Sequence, residues 1–312
     1  MRKLLVIFLI GLCSAGFGCM GGSPGAKTPR HLTAGERQAE AGMQWYARGC
    51  YERALEHFLR AHELFVAADQ QAAATRALNN MANAYRALGD PQTAGALYTE
   101  AAVGFLDQGD NSGRALAMAN NASVMLDIDR PQEAQALLDQ AQALLGPADK
   151  TARAAVSMTR AVMASRAEDQ DTALALYNEA LADTAPDDEA GRAAIFYGQG
   201  KAMLAQKKSR EALARFLTAR DLDGKLGNTK ALADDLLGAA MAQEDMGNAR
   251  EALSLYKRAA FAYTMAEKQD QANQTLAKVN ELAEKTGQPA TIPNLFVEKY
   301  LSGKAYEYPC RR

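Results

Sequence analysis

Between Ala77 and Ala102 the apolar residues fall in steps of three and four. Leu78, Met81, Ala82, Tyr85 and Leu88 make one stripe, which predicts a helix with a single buried face. Gly89 and Asp90 stop it. Pro91 suits the first position of a new helix, with Asp90 placed to cap it. The second helix buries Ala94, Tyr98 and Ala101, so the stretch reads as a helical hairpin.

The hairpin recurs. A small residue is followed twelve positions on by another, then four on by a large one, then three on by a small one. Ala82, Ala94, Tyr98 and Ala101 set the frame, and Gly42, Ala54, Phe58 and Ala61 fit it. So do Ala122, Ala134, Leu138 and Ala141, then Ala161, Ala173, Tyr177 and Ala180. Gly200, Ala212, Phe216 and Ala219, and finally Ala240, Ala252, Tyr256 and Ala259, complete six units. A period of about 40 residues predicts a solenoid of helix pairs. Small residues let two helices approach, and the large one fills the space beside them.

These positions resemble the tetratricopeptide repeat family over roughly Thr33 to Gly287. The usual unit is near 34 residues. The longer period is similar to that of kinesin light chains and bacterial peptide-sensing regulators. The resemblance implies an all-α fold: a right-handed α-solenoid of six helix-turn-helix units plus a C-terminal capping helix. The units span about 33–70, 71–110, 111–148, 150–186, 188–227 and 228–268, with the cap at 270–286 and a tail at 288–312. Arg160 and Gln199 depart from the pattern, standing where an apolar residue is usual. The family implies a scaffold, not a reaction.

The chain opens with Arg2 and Lys3, an apolar run from Leu4 to Leu12, and small residues up to Cys19. That order predicts a secretory signal over residues 1–18. The run falls short of the roughly 20 residues of a membrane-spanning helix. Cys19 after Gly16, Phe17 and Gly18 resembles a bacterial lipobox, with Gly16 where Leu is more usual; Cys13 follows Leu12 and fits worse. The resemblance implies lipidation of Cys19 and a cell-envelope location. Met20 is compatible with the outer membrane, facing the periplasm; secretion or a soluble periplasmic form is the alternative. Residues 19–32 read as a flexible tether with a reach of roughly 20 Å.

Thr33 and Glu36 form a capping-box pattern that predicts the start of the first repeat helix. Pro91 and Pro131 begin second helices, and Pro147 and Pro186 fall between units, so no proline interrupts a predicted helix. Gln271 to Glu284 predicts a final amphipathic helix that covers the last apolar face. The tail holds Leu295, Phe296, Val297, Tyr300, Leu301, Tyr306 and Tyr308. It predicts a short helix near Asn294 to Leu301 packed on the cap, or else a segment lying in the groove.

Net charge is −2, and loss of Arg2 and Lys3 with the signal lowers it by two to −4. That balance argues against a nucleic-acid surface. Cys50 and Cys310 sit toward opposite ends of the repeat array, so unpaired or intermolecularly paired thiols are expected; an intrachain bridge requires the tail to fold back. No phosphate-binding glycine loop, nucleophile elbow or zinc-protease motif is present, so no catalytic residue, cofactor or metal is expected. His57 and His62 are five apart and do not share a helix face. Asp187, Asp188 and Glu189 read as a solvated loop that starts the next helix.

One polar constellation stands out. Arg76, Asn79, Asn80, Asn83 and Arg86 step by three and four beside the apolar stripe, and Asn120 and Ser123 occupy the matching stripe one unit on. Asn is a mediocre helix former, and its amide matches both polar groups of a peptide bond. In the family these positions line the concave groove. The resemblance therefore implies contact with a protein or peptide partner through these seven residues; solvated polar surface or bonds between neighbouring helices is the alternative. Asn83 and Asn120 match the asparagines of the chaperone-tail carboxylate clamp. Asn79, Ala155 and Thr159 replace its basic residues, so that clamp is absent. Tyr197, Lys201, Leu204, Leu237 and Met241 form a more apolar stretch on the same face, suited to a partner helix. The expectation is an interaction scaffold tethered by lipid, with a receptor for short extended peptides second and an enzyme a distant third.

Overall fold

The computed structural model describes residues 30–301 and Cys310. The predicted signal, Cys19 and most of the tether lie outside them. Six hairpins follow in order. The first is α1 (Arg30–Ala47) with α2 (Tyr51–Ala67), the second α3 (Gln71–Leu88) with α4 (Pro91–Asp107), and the third α5 (Asn111–Asp127) with α6 (Pro131–Ala143). Then come α7 (Lys150–Arg166) with α8 (Gln170–Asp183), α9 (Glu189–Ala205) with α10 (Ser209–Leu226), and α11 (Thr229–Asp245) with α12 (Ala249–Met265). The cap α13 (Gln269–Thr286) and a last helix α14 (Thr291–Leu301) finish the described chain. Helices pack on their sequence neighbours, and no strand occurs among the described residues.

Local chemistry sets the period. Gly89 closes α3 at φ +87°, with Asp90 N–H donating to the Tyr85 carbonyl at 2.9 Å. Pro91 then opens α4, and the Asp90 carboxylate accepts from Thr93 N–H at 3.0 Å. Left-handed residues stand at Gly49, Asp69, Gly89, Gly109 and Asp129, one every twentieth position, and resume through Lys207, Gly227, Gly247, Glu267 and Gly287. The rhythm breaks around the shorter α6 and α8, where Pro147 and Pro186 sit in longer connections. At the other end α1 begins at Arg30, so Thr33 lies inside the helix and not at its cap, contrary to the capping-box expectation. Nothing in residues 30–33 breaks a helix, so a local cap signal does not stop its extension backward.

The size alternation of the repeat is realised in the packing. Ala54, Ala94, Ala134, Ala173, Ala212 and Ala252 are fully buried, and Phe58, Tyr98, Leu138, Tyr177, Phe216 and Tyr256 are buried beside them. Gly42 faces the Phe58 ring, Gly198 the Tyr177 ring, and Gly200 and Gly238 both face the Phe216 ring. Each large residue is thus seated against its own unit and the next. The two departures are accommodated differently. Arg160 reaches sideways to Asp139 at 2.9 Å, while Gln199 stays buried and donates to Asn178 at 2.9 Å.

The stack bends far enough to meet itself. Gly49, between α1 and α2, lies against the Asn228 side chain at the start of α11. Tyr46, Ala47 and Tyr51 share a cavity with Ala190, Ala194, Asn228 and Ala231. Cys50 and Cys310 are joined by a disulfide with Cα atoms 5.1 Å apart. This corrects the expectation of unpaired or intermolecular thiols. The two cysteines are distant along a straight stack, but the superhelical turn returns the first unit to the fifth and sixth.

The last helix packs on α12 and α13. Val297 is buried, the Phe261 and Phe296 rings meet edge-on at 4.7 Å, and Lys257 donates to the Pro289 carbonyl at 2.7 Å. Tyr306 and Tyr308 lie outside the described residues.

Candidate partner-binding surface

First helices of successive units form the inner wall, and the predicted polar face lies on α3 and α5. Most of its groups are engaged by neighbouring helices. Asn79 is buried and accepts from the Asn120 amide at 3.3 Å. Asn83 accepts from the Tyr98 hydroxyl at 2.5 Å. That hydroxyl is buried, and desolvation pushes its pKa well above the ordinary range. Ser123 and Thr159 share a hydrogen bond of 2.9 Å between α5 and α7. Arg86 pairs with Asp127 at 2.7 Å, and Arg166 reaches the same carboxylate at 3.2 Å, so one acid ties three first helices together.

The seven residues therefore divide. Arg86, Asn120 and Ser123 line a pocket of about 160 Å³ with Ala155, Met158 and Thr159. Asn79 is withdrawn from solvent, Asn83 is half-buried behind its tyrosine bond, Asn80 is half-buried, and Arg76 is exposed. Mid-helix asparagines stitch α3 to α5 and α4, which answers why poor helix formers stand there. What remains open to a partner on this stretch is the Arg86–Ser123 pocket and the edge at Arg76.

The apolar stretch is more open. Tyr197, Lys201, Leu204, Leu237 and Met241 are brought together with Phe216 and Gly238 around a pocket of about 330 Å³. Leu237 and Met241 also line a neighbouring pocket of about 490 Å³ that runs to Tyr256, Gln274 and Lys278 on the cap side. Met241 is 46% exposed at the shared boundary. The rim is charged: Lys278 pairs with Glu244 at 3.3 Å and Lys207 with Asp245 at 2.8 Å. An apolar floor with a charged rim is the make-up of a protein-binding groove.

Comparison with known proteins agrees on architecture. No family model and no curated protein matches the sequence. Among solved structures, the chain is similar to a Signal Transduction ATPase with Numerous Domains protein with a tetratricopeptide repeat sensor from Pyrococcus horikoshii. Identity is 13% and the TM-score 0.62, over 85% of this chain and 47% of that one. It is also similar to the apo form of the quorum sensor NprR from B. thuringiensis, at 12% identity and TM-score 0.59, over 87% of this chain and 76% of that one. A third is BtubC from P. vanneervenii, at 17% identity and TM-score 0.51, over 72% and 89%. The fold is that of the tetratricopeptide repeat.

Within this tetratricopeptide-repeat fold, one group escaped the sequence reading. Asp223 at the end of α10 and Asp235 on α11 are buried side by side with their carboxyls hydrogen-bonded, and desolvation pushes both above the usual range, with the Asp223 charge adding to it at Asp235 and the Asp234 charge at Asp223. Twelve residues separate them on different helices, so no motif joins them. A signal did exist: Asp235 lies on a line with Leu232, Ala239 and Ala242, a carboxyl set into an apolar stripe. Tyr46 and Tyr177 are likewise desolvated, each pushed up to about 12. His57 bonds to Gln38 at 2.6 Å, and no cluster able to hold a metal occurs among the described residues. No helix among them is long and apolar enough to cross a membrane.

Proposed function

We propose that this chain is a protein-interaction scaffold that holds an amphipathic helix of a partner on its inner wall, over Leu204, Leu237 and Met241. The observation that carries it is the pair of adjoining apolar pockets meeting at the exposed Met241, with ion pairs on the rim. Two proteins of like fold are described as sensors, which supports ligand or partner capture by such a wall. Met241→Glu puts a charge on the apolar floor, and Leu106→Glu on α4, at a residue 50% exposed, is the control. Crosslinking in the native envelope followed by partner identification should show capture falling at least tenfold, about 1.4 kcal/mol, for Met241→Glu alone. Equal capture by both variants refutes the groove.

The scaffold is read as a lipoprotein tethered through Cys19, supported by the charged start, the short apolar run and the small residues before that cysteine. The disulfide supports an oxidising compartment such as the envelope. Cys19→Ser with lipid labelling tests this; labelling that persists rejects it. A second reading, reception of short extended peptides, is supported by the Arg86, Asn120 and Ser123 pocket. Asn83→Ala with Asn120→Ala should then weaken a stoichiometric peptide complex more than a surface control does.

A further inference from the structure

Where the first unit meets the fifth and sixth, a cavity of about 320 Å³ opens between them. Three tyrosines line it: Tyr46 and Tyr51 from the first unit and Tyr197 from α9. Asp223 and Asp235 lie at its base, 6% and 1% exposed. Neighbouring Asp234 is already satisfied, since the Tyr263 hydroxyl donates to one oxygen at 2.6 Å and Lys230 pairs with the other at 2.7 Å. Asp235 is met only by the Asp223 carboxyl, to which it is hydrogen-bonded, and its buried Oδ2 has no N–H or hydroxyl donor among the described residues.

The ionisable groups facing this base are Asp223 and Asp235, which share one proton, and Asp234 against Lys230. Arg220 lies within electrostatic reach of Asp235, but its guanidinium is held by Asp221 at 2.9 Å. Negative charge is therefore in excess in a desolvated, aromatic-walled space. A buried carboxyl pair whose only donor is the proton between them costs stability unless something else uses it. The chemistry that completes the site is a compact cation with several N–H donors and an apolar body. No set of three His, Cys, Asp or Glu suited to a metal ion occurs among the described residues, so the fit is to an organic cation.

We propose that this cavity binds an alkylammonium group, seated on Asp223 and Asp235 with its carbon chain against Tyr46, Tyr51 and Tyr197. The ammonium takes the place of the proton that the two carboxyls share, and that proton leaves to solvent, so the charge of the site is unchanged. Such a group comes either from a free diamine or from a lysine side chain or amino terminus of a polypeptide. The site adjoins the apolar groove, with Tyr197 and Asp234 lining both, and neither proposal depends on the other.

The test is titration calorimetry on the full, oxidised chain with putrescine and with a short lysine-containing peptide. Each titration is run in two buffers of different ionisation enthalpy. The expected result is saturable binding of at least one probe with release of about one proton near neutral pH. Binding should tighten as pH rises, and 1,4-butanediol should not bind. Asp235→Asn should lower affinity at least tenfold, and Asp223→Asn serves if that variant does not fold. Binding of the peptide alone assigns the ammonium to a polypeptide, and binding of putrescine alone to a free amine. Absence of binding by both probes, binding without proton release, or an Asn variant that binds as well as the parent overturns the proposal.

Discussion

Gly238→Ala and Gly224→Ala are the same substitution, in helices of one neighbourhood, with opposite expected signs. A Cβ at Gly238 would lie 2.5–2.7 Å from three atoms of the Phe216 ring, against the 3.4–4 Å of ordinary contact. The ring cannot retreat freely, because a Cβ built on Gly200 already falls 2.8 Å from it and the residue is 1% exposed. Overpacking of this kind costs about 1–3 kcal/mol. Replacing a mid-helix glycine by alanine returns about 0.5–1 kcal/mol. The net for Gly238→Ala is a loss of up to about 2.5 kcal/mol. At Gly224 the nearest neighbour is a Leu232 methyl at 4.0 Å, so only the helix gain remains, a rise of about 0.5–1 kcal/mol. Urea unfolding by far-UV circular dichroism reads both, with hydrogen exchange in α10 and α11 to localise the change, since solenoids need not unfold in one step. Phe216→Leu should be less harmful in the Gly238→Ala background than in the parent. Shifts of the same sign for the two alanines, or additivity with Phe216→Leu, would refute the wedge argument.

Cys310→Ser should leave the fold assembled but lower its unfolding midpoint; with 260 residues between the cysteines, the unfolded-chain entropy sets an upper figure of about 5 kcal/mol. Faster amide exchange in α1 and α14 locates the effect, and an unchanged midpoint rejects the staple. Asn228→Ala removes the side-chain acceptor for Ala231 N–H at 3.1 Å, a cap worth about 1 kcal/mol, and also the group against Gly49; chemical denaturation should show the loss. pH acts in two directions. Asp90 and Asp169 are held below the usual carboxylate range, first by their threonine hydrogen bonds, so their contribution is present above the unfolded pKa and lost as pH falls through the folded one. Asp223 and Asp235 are raised, so the native state holds extra protons and loses stability as pH climbs above the ordinary carboxylate value. Thermal melts should therefore peak on the mildly acidic side, and Asp235→Asn should move the peak toward neutrality; an unmoved peak contradicts the assignment.

The helices and their order follow from residue pattern alone. The three- and four-residue steps, the glycine stops, the Asp90–Pro91 restart and the small–large frame are local or nearest-neighbour facts, and a solenoid is built from such facts. Five residues of the apolar groove were legible for the same reason, since they share one face of two stacked helices. Whether the asparagines on α3 and α5 face a ligand or each other was not legible, because Asn79–Asn120 and Asn83–Tyr98 depend on how adjacent helices rotate. The closure emerges only once the units are stacked. A small twist per unit, summed over the stack, sets Cys50 beside Cys310 and Tyr46 near Asp235, and no local pattern carries a sum of that kind.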